Sequence, residues 1–153
     1  MVRQLGPPPP ATSNAVSKSM KSNRPVDTGP EMILRRALHK AGLRGYRVHQ
    51  RGLPGRPDIA FTKQKVAVFV NGCFWHSCPI CLLPAPRTHA SFWKTKFELN
   101  VRRDQVKIDK LRAEGWKVVV VWEHEIKSDL SNQVNRIARV VRIGTDSKTL
   151  LRR

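Results

Sequence analysis

The spacing of apolar positions changes period several times along the chain, and each change marks an element. In EMILRRALHKAG, residues 31–42, apolar side chains recur every three or four positions and set Ile33, Leu34, Ala37, Leu38 and Ala41 on one helical face. Thr28 precedes this run as N-cap with Glu31 three residues on, the spacing of a capping box. Pro30 suits the first turn and Gly42 supplies the stop. Three short β-like runs follow, YRVHQ (46–50), PDIAFT (57–62) and KVAVFV (65–70), the last nearly continuous in apolar residues as a central strand would be. A long helix fits residues 91–115, with Phe97, Val101, Ile108 and Leu111 as its inward stripe and Asn100 and Asp104 one turn apart. WKVVVVWEHE (116–125) is the strongest strand, LSNQVNRIARVV (130–141) an amphipathic helix, and residues 143–153 a tail. The order α, three β, α, β, α predicts an α/β layer in which three strands form a meander and the fourth joins after a helical crossover.

The first 26 residues lack such patterning. They hold four consecutive prolines, several Ser and Asn, basic residues and no acid. A segment of this kind buries too little apolar surface to offset its ordering entropy, so a mobile arm that orders on its partner is expected. The chain thus divides into an arm (1–26), one domain (27–142) and a tail (143–153). Charge changes the picture further: 29 Lys and Arg against 11 Asp and Glu give +18, yet 40% of residues are hydrophobic. That describes a folded basic protein whose first expected partner is nucleic acid, because phosphate contacts release counterions. No stretch approaches the roughly 18 apolar residues of a membrane span, and no secretory signal opens the chain, so a cytosolic location is expected.

Chemistry concentrates in GRPDIAF and in VNGCFWHSCPIC, residues 70–81. Asp58 stands at the start of one short strand, and the next ends near Val70. A carboxylate and a strand-end carbonyl together offer the hard oxygen donors that Mg²⁺ prefers; the competing reading is that Asp58 only caps a turn. His76 lies six residues beyond that strand, where an imidazole can exchange a proton with water activated for phosphodiester hydrolysis. Cys73, Cys78 and Cys81 fall within nine residues, an arrangement ill suited to a disulfide framework and well suited to Zn²⁺. His76, His89 and His124 are candidates for the fourth ligand. His124, at the end of the strong strand, is favoured for a closed site stapling two strand ends; reduced structural thiols are the alternative. Phe74, Trp75 and Trp93 are either core or apolar wedges of the kind that open a duplex between base steps.

Taken together, SKSMKSN, DTGPE, LPGRPDIAF, VFVNGCFWH, the FW near a helix start, NVRRD and GWKVVVVWEHE resemble the very short patch repair (Vsr) DNA mismatch endonucleases over roughly residues 17–142. The resemblance implies a restriction-endonuclease-like, PD-(D/E)XK-type α/β core: a three-layer mixed sheet flanked by helices, with structural Zn²⁺ and catalytic Mg²⁺. It implies nicking of one strand of double-stranded DNA on the 5′ side of the mispaired T in a T:G mismatch, by a monomer that works with mismatch-repair proteins. On this resemblance Asp58 binds the metal, Glu31 contacts it through water and His76 is the catalytic histidine. Asn100 and Asp104 border the site, Phe74, Trp75 and Trp93 wedge into DNA, and the arm with Lys18, Met20 and Lys21 grips the duplex. The family's Thr-His pair is replaced here by Val70 and Asn71; Val70 still offers its carbonyl, but Asn71 cannot carry a proton at neutral pH. A zinc-containing DNA-binding module without cleavage, or a related nuclease with another target preference, remain the competing functions.

Overall fold

The computed structural model describes residues 5–15, 17–18 and 25–150, with side chains as far as Thr145. Helix α1 (Gly29–Lys40) starts from Thr28, whose hydroxyl oxygen accepts the Glu31 N–H. It ends in a Schellman turn at Gly42 (φ +83°): the Gly42 N–H bonds the His39 carbonyl at 3.1 Å and the Leu43 N–H bonds that of Leu38 at 2.9 Å. Strands β1 (Arg47–Val48), β2 (Ile59–Phe61) and β3 (Val66–Asn71) then form the expected antiparallel meander. Helix α2 (Ala90–Ala113) crosses over, closing with a second turn of the same type at Gly115, and β4 (Lys117–Trp122) joins β3 in parallel. The four strands lie in spatial order β1-β2-β3-β4.

Both faces of the sheet are covered, which explains why β3 reads as an unbroken apolar run. Val66 and Val68 pack with Leu34 and Leu38 of α1 and with Val134, Ile137 and Val141 beyond β4. Ala67 and Phe69 point the other way, against Leu111 of α2 and Trp116. Three layers result, with the strand ends beside α1 and α2 left open as a cleft.

Several expectations need correction. The β4 strand stops at Trp122, whose N–H is taken by the Glu125 carboxylate at 2.9 Å, and the chain turns into a short helix α3 (Glu123–Ser128). The final helix α4 runs from Leu130 to Leu150, so residues 143–150 continue it and do not form a separate tail. Gly144 marks a close approach within it: a Cβ at that position would lie 3.0 Å from the Gln64 carbonyl oxygen, so a larger residue would press α4 against the β2–β3 turn. Ile33 and Val101 point outward, 42% and 46% exposed, while Glu31 on α1 and Asn100 and Asp104 on α2 take inner positions among the apolar ones. Within the arm, Asn14, Ala15, Ser17 and Lys18 form a helical turn once the proline block ends; Lys18 is exposed, and Met20 and Lys21 lie outside the described residues.

Candidate active site and metal clusters

A cleft of about 1230 Å³ opens at the ends of β2 and β3, walled by Glu31, His49, Asp58, Asn71, His76 and Lys107. The PD dipeptide builds its floor. Continuing the β2–β3 register from Ile59↔Val68 sets Pro57 opposite Val70. Proline has no N–H to give the Val70 carbonyl, and N–H and C=O of a paired residue face the same neighbour. The Asp58 side chain takes the other half of this broken rung, accepting the Val70 N–H at Oδ2 over 2.7 Å. Asp58 and the Val70 backbone thereby meet at one place, through the Val70 N–H.

Two carboxylates in this cleft are held above their ordinary pKa. Burial raises Asp58, against the lowering pull of the Val70 N–H and of the nearby His49, Lys107 and His76. Burial also raises Glu31, and the charge of Asp58 adds to it. Such a pair gains most from a cation between them, and this donor chemistry fits Mg²⁺. Glu31 serves the helix cap and the cleft at once: Oε2 accepts the Asp27 N–H at 3.0 Å, Oε1 accepts the Thr28 hydroxyl at 3.2 Å, and the residue is 4% exposed on the inner face of α1.

His76 is held from the opposite wall. Its Nδ1 lies 2.6 Å from Asp104 Oδ2, and the second oxygen of Asp104 pairs with Lys107 Nζ at 2.7 Å. Burial pushes the Asp104 carboxyl up, but His76 and Lys107 together draw it below its ordinary value. An Nδ1–H held by a carboxylate leaves Nε2 as the ring nitrogen that can take up a proton. One turn earlier on α2, Asn100 donates to the Trp75 carbonyl at 2.9 Å, so consecutive loop residues are pinned by consecutive turns of one helix. Asn100 thus braces the loop and does not line the cleft.

Phe74, Trp75 and Trp93 gather with Phe97 at the edge of the cleft, at ring separations of 5.1 to 6.4 Å. Trp93 is buried beneath Phe74 and Trp75, which remain half-exposed, and Lys96 sits over Trp75 and Trp93 at 5.2 and 5.1 Å from the ring centres.

On the far side of Gly72, Cys73, Cys78, Cys81 and His124 bring their ligand atoms within 4.8 Å of one another. His124 Nδ1 stands 3.3 Å from Cys73 Sγ and 3.5 Å from Cys78 Sγ, near the roughly 3.6 Å edge of a tetrahedral Zn²⁺ site with these donors. His124 arrives from the second position of α3, not from the strand, and the Asn71↔Trp122 pairing brings the two loops together. Desolvation and the neighbouring thiols push Cys81 up to about 11, which is the electrostatic complaint a cation answers. The residues present fit a soft-donor metal.

Five charged or titratable cleft residues escaped the sequence reading: Asp27, His49, Arg56, Lys107 and Glu123. Asp27 and His49 meet at 3.2 Å, with Glu31 3.6 Å from the same imidazole nitrogen. Arg35 and then His49 hold the Asp27 carboxyl below its ordinary value. Helical spacing would have found Lys107, three positions after Asp104 and seven after Asn100.

An α/β sheet whose strand end and flanking helix bring two carboxylates, Asp58 and the buried Glu31, to a cleft with a braced imidazole, beside half-buried aromatics on a basic chain, is a nuclease-like arrangement. Residues 11–80 match the family model for DNA mismatch endonuclease Vsr. The chain is 40% identical over 122 residues to the type II nicking enzyme V.XorIIP of Xanthomonas oryzae pv. oryzae, covering 80% of this chain and 88% of that one. It is 44% identical over 126 residues to the type II nicking enzyme V.NaeI of Lentzea aerocolonigenes, covering 78% and 75%. With the DNA mismatch endonuclease Vsr of Escherichia coli it shares 39% over 107 residues, 70% and 68% of the two chains. The chain belongs to the Vsr family.

Proposed function

We propose that the protein is a DNA endonuclease that nicks one strand on the 5′ side of the mispaired T in a T:G mismatch. The observation that supports this reading is the cleft itself: Asp58 and the Val70 backbone on one wall, the His76–Asp104 pair on the other, and Phe74 and Trp75 at the rim. No helix of the described residues is long and apolar enough to cross a membrane, and action as a monomer in the cytoplasm, alongside mismatch-repair proteins, completes the reading.

Asp58 and the Val70 carbonyl would hold Mg²⁺, with Glu31 reaching it through water; the ion would neutralise phosphate charge and ease the ionisation of water. The remaining work falls to the chain. Phe74 and Trp75 enter the duplex beside the mismatch, where a weakened stack costs least to open. The arm with Lys18, Met20 and Lys21 grips the backbone, and Arg and Lys elsewhere add a salt-sensitive attraction. His76, oriented through Nδ1 by Asp104, takes a proton at Nε2 from the attacking water; a P–O bond forms as the bond to the 3′ oxygen breaks, and solvent returns a proton to that oxygen. A positioned general base of this sort contributes about 10²–10⁴ in rate. Asn71, 6% exposed, carries an amide that can donate a hydrogen bond but moves no proton, so proton transfer rests on His76. Cys73, Cys78, Cys81 and His124 would hold Zn²⁺ and so keep the loop bearing Phe74, Trp75 and His76 in place.

The test is a labelled duplex carrying each mismatch in turn, with Mg²⁺ or with EDTA, for wild type and Asp58→Asn. Nicks confined to T:G and lost with EDTA and in the variant are expected. Tight binding without a nick at any mismatch points to a recognition module, and cutting of perfectly paired DNA points to a nuclease of another target preference.

A further inference from the structure

We propose that Lys107 is a further catalytic residue: its ammonium bonds a non-bridging oxygen of the phosphate being cut and balances the charge that builds there. This deepens the nuclease reading and rests on it.

The inner face of α2 carries the first argument. Trp93, Phe97, Asn100, Asp104, Lys107 and Leu111 follow one another at intervals of three and four, so they form a single stripe toward the sheet. Its two ends are apolar and its middle is polar. A lysine in such a stripe is expensive to bury unless it has a task there. Lys107 is one-fifth exposed at its side chain and reaches the cleft with its charged end.

That end is fixed from several sides. Nζ lies 2.7 Å from Asp104 Oδ1 and 4.5 Å from the centre of the Phe69 ring. The aliphatic stem lies directly under Gly55: a Cβ there would fall 2.4 to 2.7 Å from Lys107 Cβ, Cγ and Cδ, and Gly55 has φ +69°. No other residue allows the loop LPGRPD to settle on that stem. The same loop delivers Asp58 three residues later, so a single contact sets the spacing between the ammonium and the metal-binding carboxylate.

A plain i,i+3 ion pair would leave both partners content with each other, but Asp104 divides its two oxygens between His76 and Lys107. The ammonium has three N–H donors and uses one on Asp104, so it retains donors for an anion arriving in the cleft. Phosphoryl transfer adds negative charge to the non-bridging oxygens, and a prepositioned cation there stabilises the transition state more than the bound substrate. Lys107 and His76 then share one carboxylate while acting on different atoms of the same reacting group.

The experiment is single-turnover nicking at saturating T:G duplex with Mg²⁺, using wild type, Lys107→Met and Lys107→Arg, with melting temperature and duplex affinity measured for each. Methionine keeps most of the stem under Gly55 and removes the charge. We expect Lys107→Met to lose about 10²–10³-fold in rate while affinity changes little, and Lys107→Arg to recover a part. Sulfur in place of one non-bridging oxygen at the cut phosphate should slow wild type more than Lys107→Met, because the contact it weakens is already gone. A Lys107→Met protein that nicks at the wild-type rate, or an equal sulfur effect in both, overturns the proposal. If Lys107→Met does not fold, the sulfur comparison passes to Lys107→Arg: a changed preference between the two phosphorothioate stereoisomers supports the contact, and an unchanged one overturns it. Wild type that nicks no duplex overturns the nuclease reading itself, whereas nicking that ignores Lys107 overturns this step alone.

Discussion

Two clusters of potential metal ligands stand on either side of Gly72, and they are built on opposite principles. Cys73, Cys78, Cys81 and His124 close around a point with four soft donors and converge from two loops. Asp58, Glu31 and the Val70 backbone present hard donors along an open cleft, with both carboxylates pushed upward by burial and Glu31 pushed further by Asp58. A closed tetrahedral set suits an ion that stays; an open oxygen set suits an ion that must share its coordination with substrate and water. The loop between them serves both, since the cysteines point into the staple while Phe74, Trp75 and His76 stand beside the cleft. Stability and chemistry are thereby adjacent in sequence yet separable by substitution.

The largest expected effect breaks the open side alone. Asp58→Asn keeps an acceptor for the Val70 N–H but removes the charge, and nicking should fall about 10³-fold or more with zinc content and melting temperature nearly unchanged. His76→Ala should cost about 10²–10⁴ in rate, again with zinc retained, as read by gel assay and metal analysis. Breaking the closed side should give the reverse pattern. Cys78→Ala should lose zinc and lower the melting temperature by about 10 °C or more, since metal binding energy is folding energy. Residual chemistry at low temperature should persist; an unchanged melting temperature and zinc stoichiometry would remove the staple from the account.

A smaller effect sharpens the electrostatic contrast. Glu31 is raised above its ordinary value by burial and by Asp58, so the folded state binds its proton more readily than the unfolded chain does. Wild-type stability therefore gains a contribution as pH falls from neutrality through that raised value toward the unfolded one. Metal-free Glu31→Gln should melt higher than wild type at neutral pH, with the difference shrinking as acid protonates Glu31. A difference that grows toward low pH would reverse the assignment.

Much of the scaffold was legible because its signals are local. Gly42 and Gly115 end helices through turns that only positive φ completes, and the apolar run at residues 66–70 marks a strand covered on both faces. The cysteine cluster was legible because ligand spacing and two neighbouring strand ends constrain each other. Helix orientation was harder. Amphipathic reasoning assumes apolar residues face inward, yet Glu31 on α1 and Asn100, Asp104 and Lys107 on α2 hold inner positions, and Ile33 and Val101 were displaced outward. Local pattern and global fold disagree where the chain keeps polar groups for a task. His49 was invisible for another reason: only strand pairing, with its N–H 3.3 Å from the Asp58 carbonyl, brings it to the cleft. Lys107 stands at helical spacing from Asn100 and Asp104, but the apolar stripe read through Phe97, Val101, Ile108 and Leu111 drew attention to a neighbouring face, and the packing of Gly55 on its stem marks the inner one.

The most direct test is an anomalous-scattering measurement on crystals of the protein with Mn²⁺ and a T:G duplex. The account predicts a peak within about 2.2 Å of both an Asp58 carboxylate oxygen and the Val70 carbonyl oxygen, absent in Asp58→Asn. A peak seated instead among Asp27, Glu31 and His49, or no peak in the cleft at all, would contradict it.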